Sequence, residues 1–259
     1  MQQIFIDVFS GLTYEELFPM IKQVGFDGFF SGHIYADDYD MLSHYNALAK
    51  EHGLMQETSH STIPYCDLIW HDTTKGDEYI QLLKRNLSNC AKLDIPILVV
   101  HVSPILNQNP SLELGLKRLK SIVNYAKDMG VKIAFENINS SEYLYKTLDY
   151  FNDENVGFCY DCGHEACHTN GERYLKKLGK RIACTHIHDN NNIDDCHYIP
   201  FDGDIDFVKI AKELNECGYK GNITLELAYR GDMPKQDFIQ KSFDAAQKLK
   251  KMISGDFNV

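Results

Sequence analysis

Four times along this chain a helical stretch stops at a glycine and a short apolar run begins. The segments are IKQVG-FDGFF at Gly25, LAKEHG-LMQE at Gly53, YAKDMG-VKIAF at Gly130 and LNECG-YKGNITLE at Gly218. Glycine past the last helical residue supplies a left-handed stop. An apolar run after it is the second half of a helix-to-strand unit. Repeating that unit predicts strands near residues 3–9, 27–32, 54–59, 96–102, 131–137, 156–161, 182–188 and 222–228. Helices are expected near 13–24, 37–52, 77–93, 111–129, 143–150, 171–180, 205–217 and 234–253. Eight such units in 259 residues suit a (β/α)8 barrel of about 250 residues. An open doubly wound sheet shows the same alternation, but it usually carries a Gly-rich phosphate turn after its first strand. Here that turn reads DVFSGLTYEE, without GxGxxG. The expectation is an α/β fold: a single TIM barrel domain over residues 1–259.

The later strands carry a second signal. KIAFE, VGFCYD and NITLE each end in a carboxylate. Side chains alternate between faces of a strand. Ile133 and Phe135 therefore oppose Glu136; Phe158 and Tyr160 oppose Asp161; Ile223 and Leu225 oppose Glu226. If parallel strands close into a barrel, the apolar faces meet outer helices and the acids converge at the C-terminal rim. Three carboxylates and a histidine from ACTHIHD, gathered there, call for a cation. Other donors sit at strand ends: Asp7, His33, His60, His101 and the loop pair Asp195-Cys-His197. The long connections near 60–76, 102–110 and 188–204 all follow strands, which puts them on the face where barrel enzymes bind ligands. Phe9, Tyr35, Tyr65 and Trp70 map near that mouth and could stack on the apolar face of a ligand.

Net charge is −11, which disfavours polyanions such as nucleic acid. No apolar run approaches the ~18 residues of a membrane span. MQQIFIDVFSG reads as a first strand, not a signal peptide. Eight dispersed cysteines without an export signal are expected to be reduced thiols, and the chain to be cytoplasmic. Closed symmetric assembly is common among soluble enzymes, so a homo-oligomer is allowed, although no interface signature is visible.

The segments FEN (135–137), YDCGH (160–164) and HIHDNNNIDDCHYIPFDGDID (186–206) resemble the xylose isomerase-like (AP endonuclease family 2) TIM barrel superfamily. The resemblance runs from IFIDVF to ITLELA. The superfamily holds sugar and sugar-phosphate isomerases and epimerases, inosose dehydratases and the endonuclease IV type of DNA repair enzyme. In the ketose 3-epimerase and isomerase branch one divalent cation is held by a Glu, an Asp, a His and a Glu. The resemblance implies that Glu136, Asp161, His186 and Glu226 fill those places; an oxygen-rich set with one histidine suits Mn²⁺, Mg²⁺ or Co²⁺, and Zn²⁺ if His60, His101 and His197 also bind. The resemblance also implies substrate contacts for His164 and for Glu142, six residues after Glu136. The endonuclease IV branch uses more ligands for a zinc cluster that hydrolyses abasic DNA. Those would fall on His60, His101, His164, Asp195 and His197. In a sugar enzyme the same residues would line the substrate pocket. His186 and His188 share a strand face; the family pattern H-x-x-D/E-N favours His186, with His188 or Asp189 in support.

The chemistry this implies is proton transfer beside a carbonyl. A carbon bearing a hydroxyl next to a carbonyl loses its proton only if the ene-diolate is stabilised, which a divalent cation does. Glu136 and Glu226, on strands five and eight, could remove and return that proton. Return on the opposite face is epimerisation; return to the neighbouring carbon is isomerisation. Expulsion of a hydroxyl instead would make the chain a lyase of the inosose dehydratase kind. Arg230 is the one evident phosphate contact, so a free sugar or polyol suits the site as well as a sugar phosphate.

Overall fold

The computed structural model describes residues 2–169 and 171–258. Among them the elements run β1 (Ile4–Val8), α1 (Tyr14–Val24), β2 (Gly28–Ser31), α2 (Tyr39–Glu51), β3 (Met55–His60), α3 (Thr74–Lys92), β4 (Ile97–His101) and α4 (Leu112–Met129). They continue as β5 (Lys132–Glu136), α5 (Ser141–Tyr150), β6 (Val156–Asp161), α6 (Cys162–His168), α7 (Tyr174–Leu178), β7 (Ile182–His186), α8 (Phe207–Glu216), β8 (Ile223–Leu227) and α9 (Lys235–Ile253). The strands form one eight-stranded sheet in the order β7-β6-β5-β4-β3-β2-β1-β8. Just past β7, the Ile187 amide donates to the Thr224 carbonyl (2.8 Å) and the Glu226 amide to the Ile187 carbonyl (3.2 Å), so the strand order closes on itself. This is the expected TIM barrel.

The glycine punctuation is what sets the boundaries. Gly25, at φ 108°, caps α1 with its N–H on the Ile21 carbonyl. Gly53, Gly130 and Gly218 also have positive φ. At its other end α1 opens with a capping box, in which Thr13 and Glu16 exchange side-chain and backbone bonds. Eight strands fall within a residue or two of where alternation puts them, and none of the described helices is long and apolar enough to cross a membrane.

By packing, the chain divides into two compact units. The first comprises Met1–Phe30, Ala47–Gln56 and Tyr160–Val259; the second comprises Ser31–Asn46 and Glu57–Cys159. In the first, Ile6, Phe18, Phe29, Leu225 and Leu227 are fully buried. In the second, Leu98, Val100, Ile133, Phe135 and Phe158 are. Each such side chain contributes about 1.5–3 kcal/mol on leaving water. Along β5, Ile133, Phe135 and Glu136 are all buried, and Glu136 meets His60 and His101 at the strand ends.

Arg118 of α4 organises the long connection in the second unit. Its guanidinium donates to the carbonyls of Leu68 (3.2 Å), Ile69 (2.9 Å), His71 (2.6 Å) and Thr73 (3.1 Å), and to Asp77 (2.9 Å). Burying that cation is tolerated because each N–H finds an acceptor. Trp70, expected near the mouth, is instead wholly buried, edge-on to Tyr143 at 4.7 Å. It belongs to the core because the connection folds inward around Arg118.

One helix was not expected. Where the sequence suggests a single helix over 171–180, α6 starts directly after β6 and only the five-residue α7 follows. The reason is Asp161, whose Oδ1 accepts the His164 N–H at 2.7 Å and caps α6. CGHEACH has neither length nor an apolar stripe to announce a helix.

Candidate metal centres at the strand ends

In the second unit, β3 ends in His60, β4 in His101 and β5 in Glu136. Parallel register sets His60 beside Val99 and His101 beside Glu136. His60 Nε2 and His101 Nε2 lie 3.2 and 3.1 Å from the same Glu136 Oε2, and 3.0 Å from each other. His60 Nδ1 is 2.8 Å from the Ser61 carbonyl. A carbonyl only accepts, so Nδ1 carries the proton and donates. That fixes Nε2 toward the carboxylate, the arrangement by which a ligating histidine is usually oriented. Glu136 is 1% exposed. Three donor atoms this close must share protons or a cation.

The first unit carries a larger set. Asp161 ends β6, His186 ends β7 and Glu226 lies in β8. His186 Nδ1 is 3.4 Å from Glu226 Oε2, and its ring stacks on Phe30 at 4.7 Å. His188 Nε2 is 3.2 Å from Asp161 Oδ1. The His188 ring is fully buried, and its Nδ1 has no hydrogen-bond partner among the described residues, so the proton belongs on Nε2, donating to Asp161. Of the two histidines on one strand face, His186 therefore faces a carboxylate of β8 and His188 orients that of β6. Gly163 makes this packing feasible: a Cβ there would stand 1.9 Å from the His188 ring.

Asp195 stands among imidazoles. Its Oδ2 is 3.3 Å from His164 Nε2 and 3.2 Å from His197 Nε2, and its Oδ1 is 3.7 Å from His188 Nε2. Burial opposes ionisation of Asp195, but hydrogen bonds from His164 and His197 outweigh it and hold the carboxyl well below the ordinary range. Burial likewise opposes a charge on His197. The bond to Asp195 and the charge of Glu226 nonetheless carry it up to about 9. His197 Nδ1 donates to the Glu226 carbonyl at 3.0 Å.

Asp7 on β1 pairs in register with Glu226. Its carboxyl is pushed up to about 7, first by burial and then by the charge of Glu226, against a hydrogen bond from Tyr14.

The loop that delivers Asp195 and His197 is built around Asp189. This fully buried carboxylate accepts backbone N–H bonds from Asn190 (2.8 Å), Ile205 (3.1 Å), Phe201 (2.9 Å) and Gly203 (2.9 Å). The Asp189 and Tyr198 backbones also pair with each other at 2.9 and 2.8 Å.

Two expected residues stand apart from these clusters. Glu142 lies in the first turn of α5, 66% exposed and paired with Lys146. Arg230 donates to the Cys196 carbonyl at 2.6 Å and lies over the Tyr198 ring. Phe9 is half exposed with its ring edge against His197. His33 sits in a short turn after β2, edge-on to His60 at 6.2 Å. All eight cysteines are free thiols. Sequence reasoning passed over His168, although His164 to His168 reads H-E-x-x-H, a spacing that puts two imidazoles on one helix face.

Both units fit a divalent cation. Glu136, His60 and His101 offer ligand atoms within 4.8 Å of one another, as do Asp161, His164 and His188, and His188, His197 and Glu226. Carboxylate and imidazole donors suit Mn²⁺, Mg²⁺, Co²⁺ or Zn²⁺.

A family model described as xylose isomerase-like TIM barrel matches residues 18–251. The fold is also that of a D-tagatose 3-epimerase-like protein of known crystal structure: TM-score 0.80, 21% identity, 98% of each chain. An uncharacterized protein of Sinorhizobium fredii is 27% identical over 199 residues, 71% of this chain and 64% of its own. Fructoselysine 3-epimerase of Escherichia coli O157:H7 is 35% identical over 54 residues, 21% of this chain and 20% of its own. The chain thus spans less than two thirds of the length of these two curated relatives.

Proposed function

Since the chain belongs to the xylose isomerase-like TIM barrel family, we propose that it is a metal-dependent isomerase or epimerase of a small sugar or polyol. The observation that carries this reading is the pairing of strand-end carboxylates with imidazoles: Glu136 with His60 and His101, Asp161 with His188, Glu226 with His186. In this reading residues 1–259 act as one catalytic domain, and Glu136, Asp161, His186 and Glu226 hold one divalent cation, Mn²⁺ ahead of Mg²⁺ or Co²⁺. That cation supplies the charge stabilisation an ene-diolate needs.

The remaining work falls to the chain's own groups. Glu136 takes the proton from the carbon beside the carbonyl, and Glu226 returns one; the reverse reaction exchanges their roles. His60 and His101 bind substrate hydroxyls and keep Glu136 aimed. His188 holds Asp161 in place through its Nε2 proton. Glu142 and Arg230 would meet substrate only after releasing Lys146 and the Cys196 carbonyl, which makes them peripheral.

The test is turnover of ketoses, aldoses and inososes with Mn²⁺ in D₂O. Deuterium should enter the product at the carbon that was deprotonated. A product formed without solvent deuterium would replace proton transfer by a direct hydride shift, and loss of water would make the enzyme a dehydratase.

The His60–His101–Glu136 triad favours a second reading, a zinc phosphodiesterase for abasic DNA. Against it stand the net charge of −11 and a 188–204 loop without Lys or Arg. Nicking of an abasic duplex, with no sugar turned over, would install that reading in place of the first.

A further inference from the structure

We propose that a cavity at the N-terminal ends of β1 and β8 binds a small phosphorylated metabolite. Its volume is about 490 Å³, within the range of small-molecule sites. Gln2 reaches it from the start of β1, Tyr219 and Lys220 from the turn before β8, and Lys250, Lys251 and Ile253 from the end of α9. β1 and β8 run parallel, and Asp7 and Glu226 pair near their C-terminal ends, so the cavity lies at the opposite end of these strands.

Three ammonium groups line the cavity and no carboxylate does. In a chain of net charge −11 that is a local reversal of sign. Among the described residues none of the three is ion-paired, and Lys250 donates only to a neutral acceptor, the Gln2 carbonyl. Nor are the lysines needed to cap α9. The carbonyls of Lys250, Lys251 and Met252 accept from the amides of Ser254 (3.1 Å), Asp256 (3.0 Å) and Gly255 (3.0 Å), and that of Ile253 accepts from Asn215 Nδ2 (2.5 Å). Gln2 adds a donor: its Nε2 is buried with no partner among the described residues. An N–H left unmet in this way is costly, and an anionic oxygen would meet it. Ammonium and amide donors together select an oxyanion, and three cations suit a phosphomonoester dianion better than a single carboxylate. The buried Tyr219 and Ile253 supply an apolar floor. The Tyr219 hydroxyl is spent on the Asn222 carbonyl at 2.6 Å, which leaves its ring to the ligand. The cavity holds more than one phosphate would fill, so the ligand carries an organic body.

Calorimetry on the full chain tests this with glucose 6-phosphate, glucose and inorganic phosphate at fixed ionic strength, for wild type, K220Q, K251Q, K248Q and E136Q. Lys248 is also on α9 but lies over the Phe201 ring, outside the cavity. Glucose 6-phosphate should bind, with inorganic phosphate weaker. K220Q and K251Q should each weaken glucose 6-phosphate by roughly fivefold. K248Q and E136Q should leave its affinity unchanged, and glucose should give the same isotherm in K220Q and K251Q as in wild type. Equal weakening in K248Q would reduce the effect to overall charge and overturn the proposal. Unchanged affinity in both K220Q and K251Q would overturn it as well. Loss of binding in E136Q would put the sugar phosphate at the strand ends instead, with the same result. Attachment to phosphatidylglycerol vesicles without affinity for glucose 6-phosphate would replace the metabolite by a lipid surface. An E136Q chain that loses turnover yet keeps this affinity separates the site from the proton transfer proposed above.

Discussion

The two units gather their metal-type donors in different ways. In the second, His60, His101 and Glu136 are each the last residue of a strand, and ladder register alone brings their tips within 3.2 Å. In the first, strand ends supply only part of the set. Asp195 and His197 come from a long loop, and His164 and His168 from a helix inserted after β6. Strand-borne donors cost no ordering beyond that of the sheet. Loop-borne donors require their own scaffold, and Asp189 with its four N–H bonds is that scaffold. Chemistry and architecture should therefore be separable in the second unit and entangled in the first.

The largest expected effect tests the separable side. E136Q keeps the size of the side chain and removes its charge, so turnover should fall by about 10²–10⁴-fold while circular dichroism and the melting transition persist. A variant with near wild-type rates would remove Glu136 from the mechanism and leave the strand-borne triad without a role.

D189A probes the entangled side. Its four backbone donors lose a charged acceptor, at a cost on the order of 3 kcal/mol in urea denaturation. Hydrogen exchange should accelerate at the amides of Phe201, Gly203 and Ile205, and metal binding involving Asp195 should weaken. Protection factors at those amides matching the wild type would show that the loop holds without its staple, and the contrast between the units would collapse.

The smallest effect is on pH. Asp7 keeps its proton to about pH 7 in the folded, metal-free chain and loses it near 3.8 when unfolded. The folded state thus binds more protons between those values, and stability should decline as pH rises from about 4 to 7. D7N, which cannot ionise, should flatten that slope. An unchanged slope in metal-free D7N would assign the dependence to other groups.

How far the sequence anticipated this follows from the same contrast. Strand parity and glycine stops are local, period-two and end-of-helix signals, and they located the eight strands, Glu136, Asp161 and Glu226. The pairing of His188 with Asp161, and of His186 with Glu226, depends on which way each imidazole turns in the folded chain, and no residue spacing encodes that. Helix α6 begins because a side chain caps it, not because of any apolar periodicity. Asp189 reads from the sequence as a support for His186; that it holds the loop through four acceptor bonds shows only in the fold. Trp70 was drawn to the mouth by its place in a long connection, yet that connection turns inward on Arg118. Glu142 matched an offset, but α5 directs it to Lys146.

One carboxylate closes strand β6 and opens α6. Replacing Asp161 by alanine would remove a negative charge and unravel a helix start in the same stroke, so an inactive D161A could not tell the two apart. Asparagine caps helices as well as aspartate does. D161N is accordingly the cleaner instrument: it leaves His164 and His168 on their turn while changing what Asp161 offers to a cation and to His188.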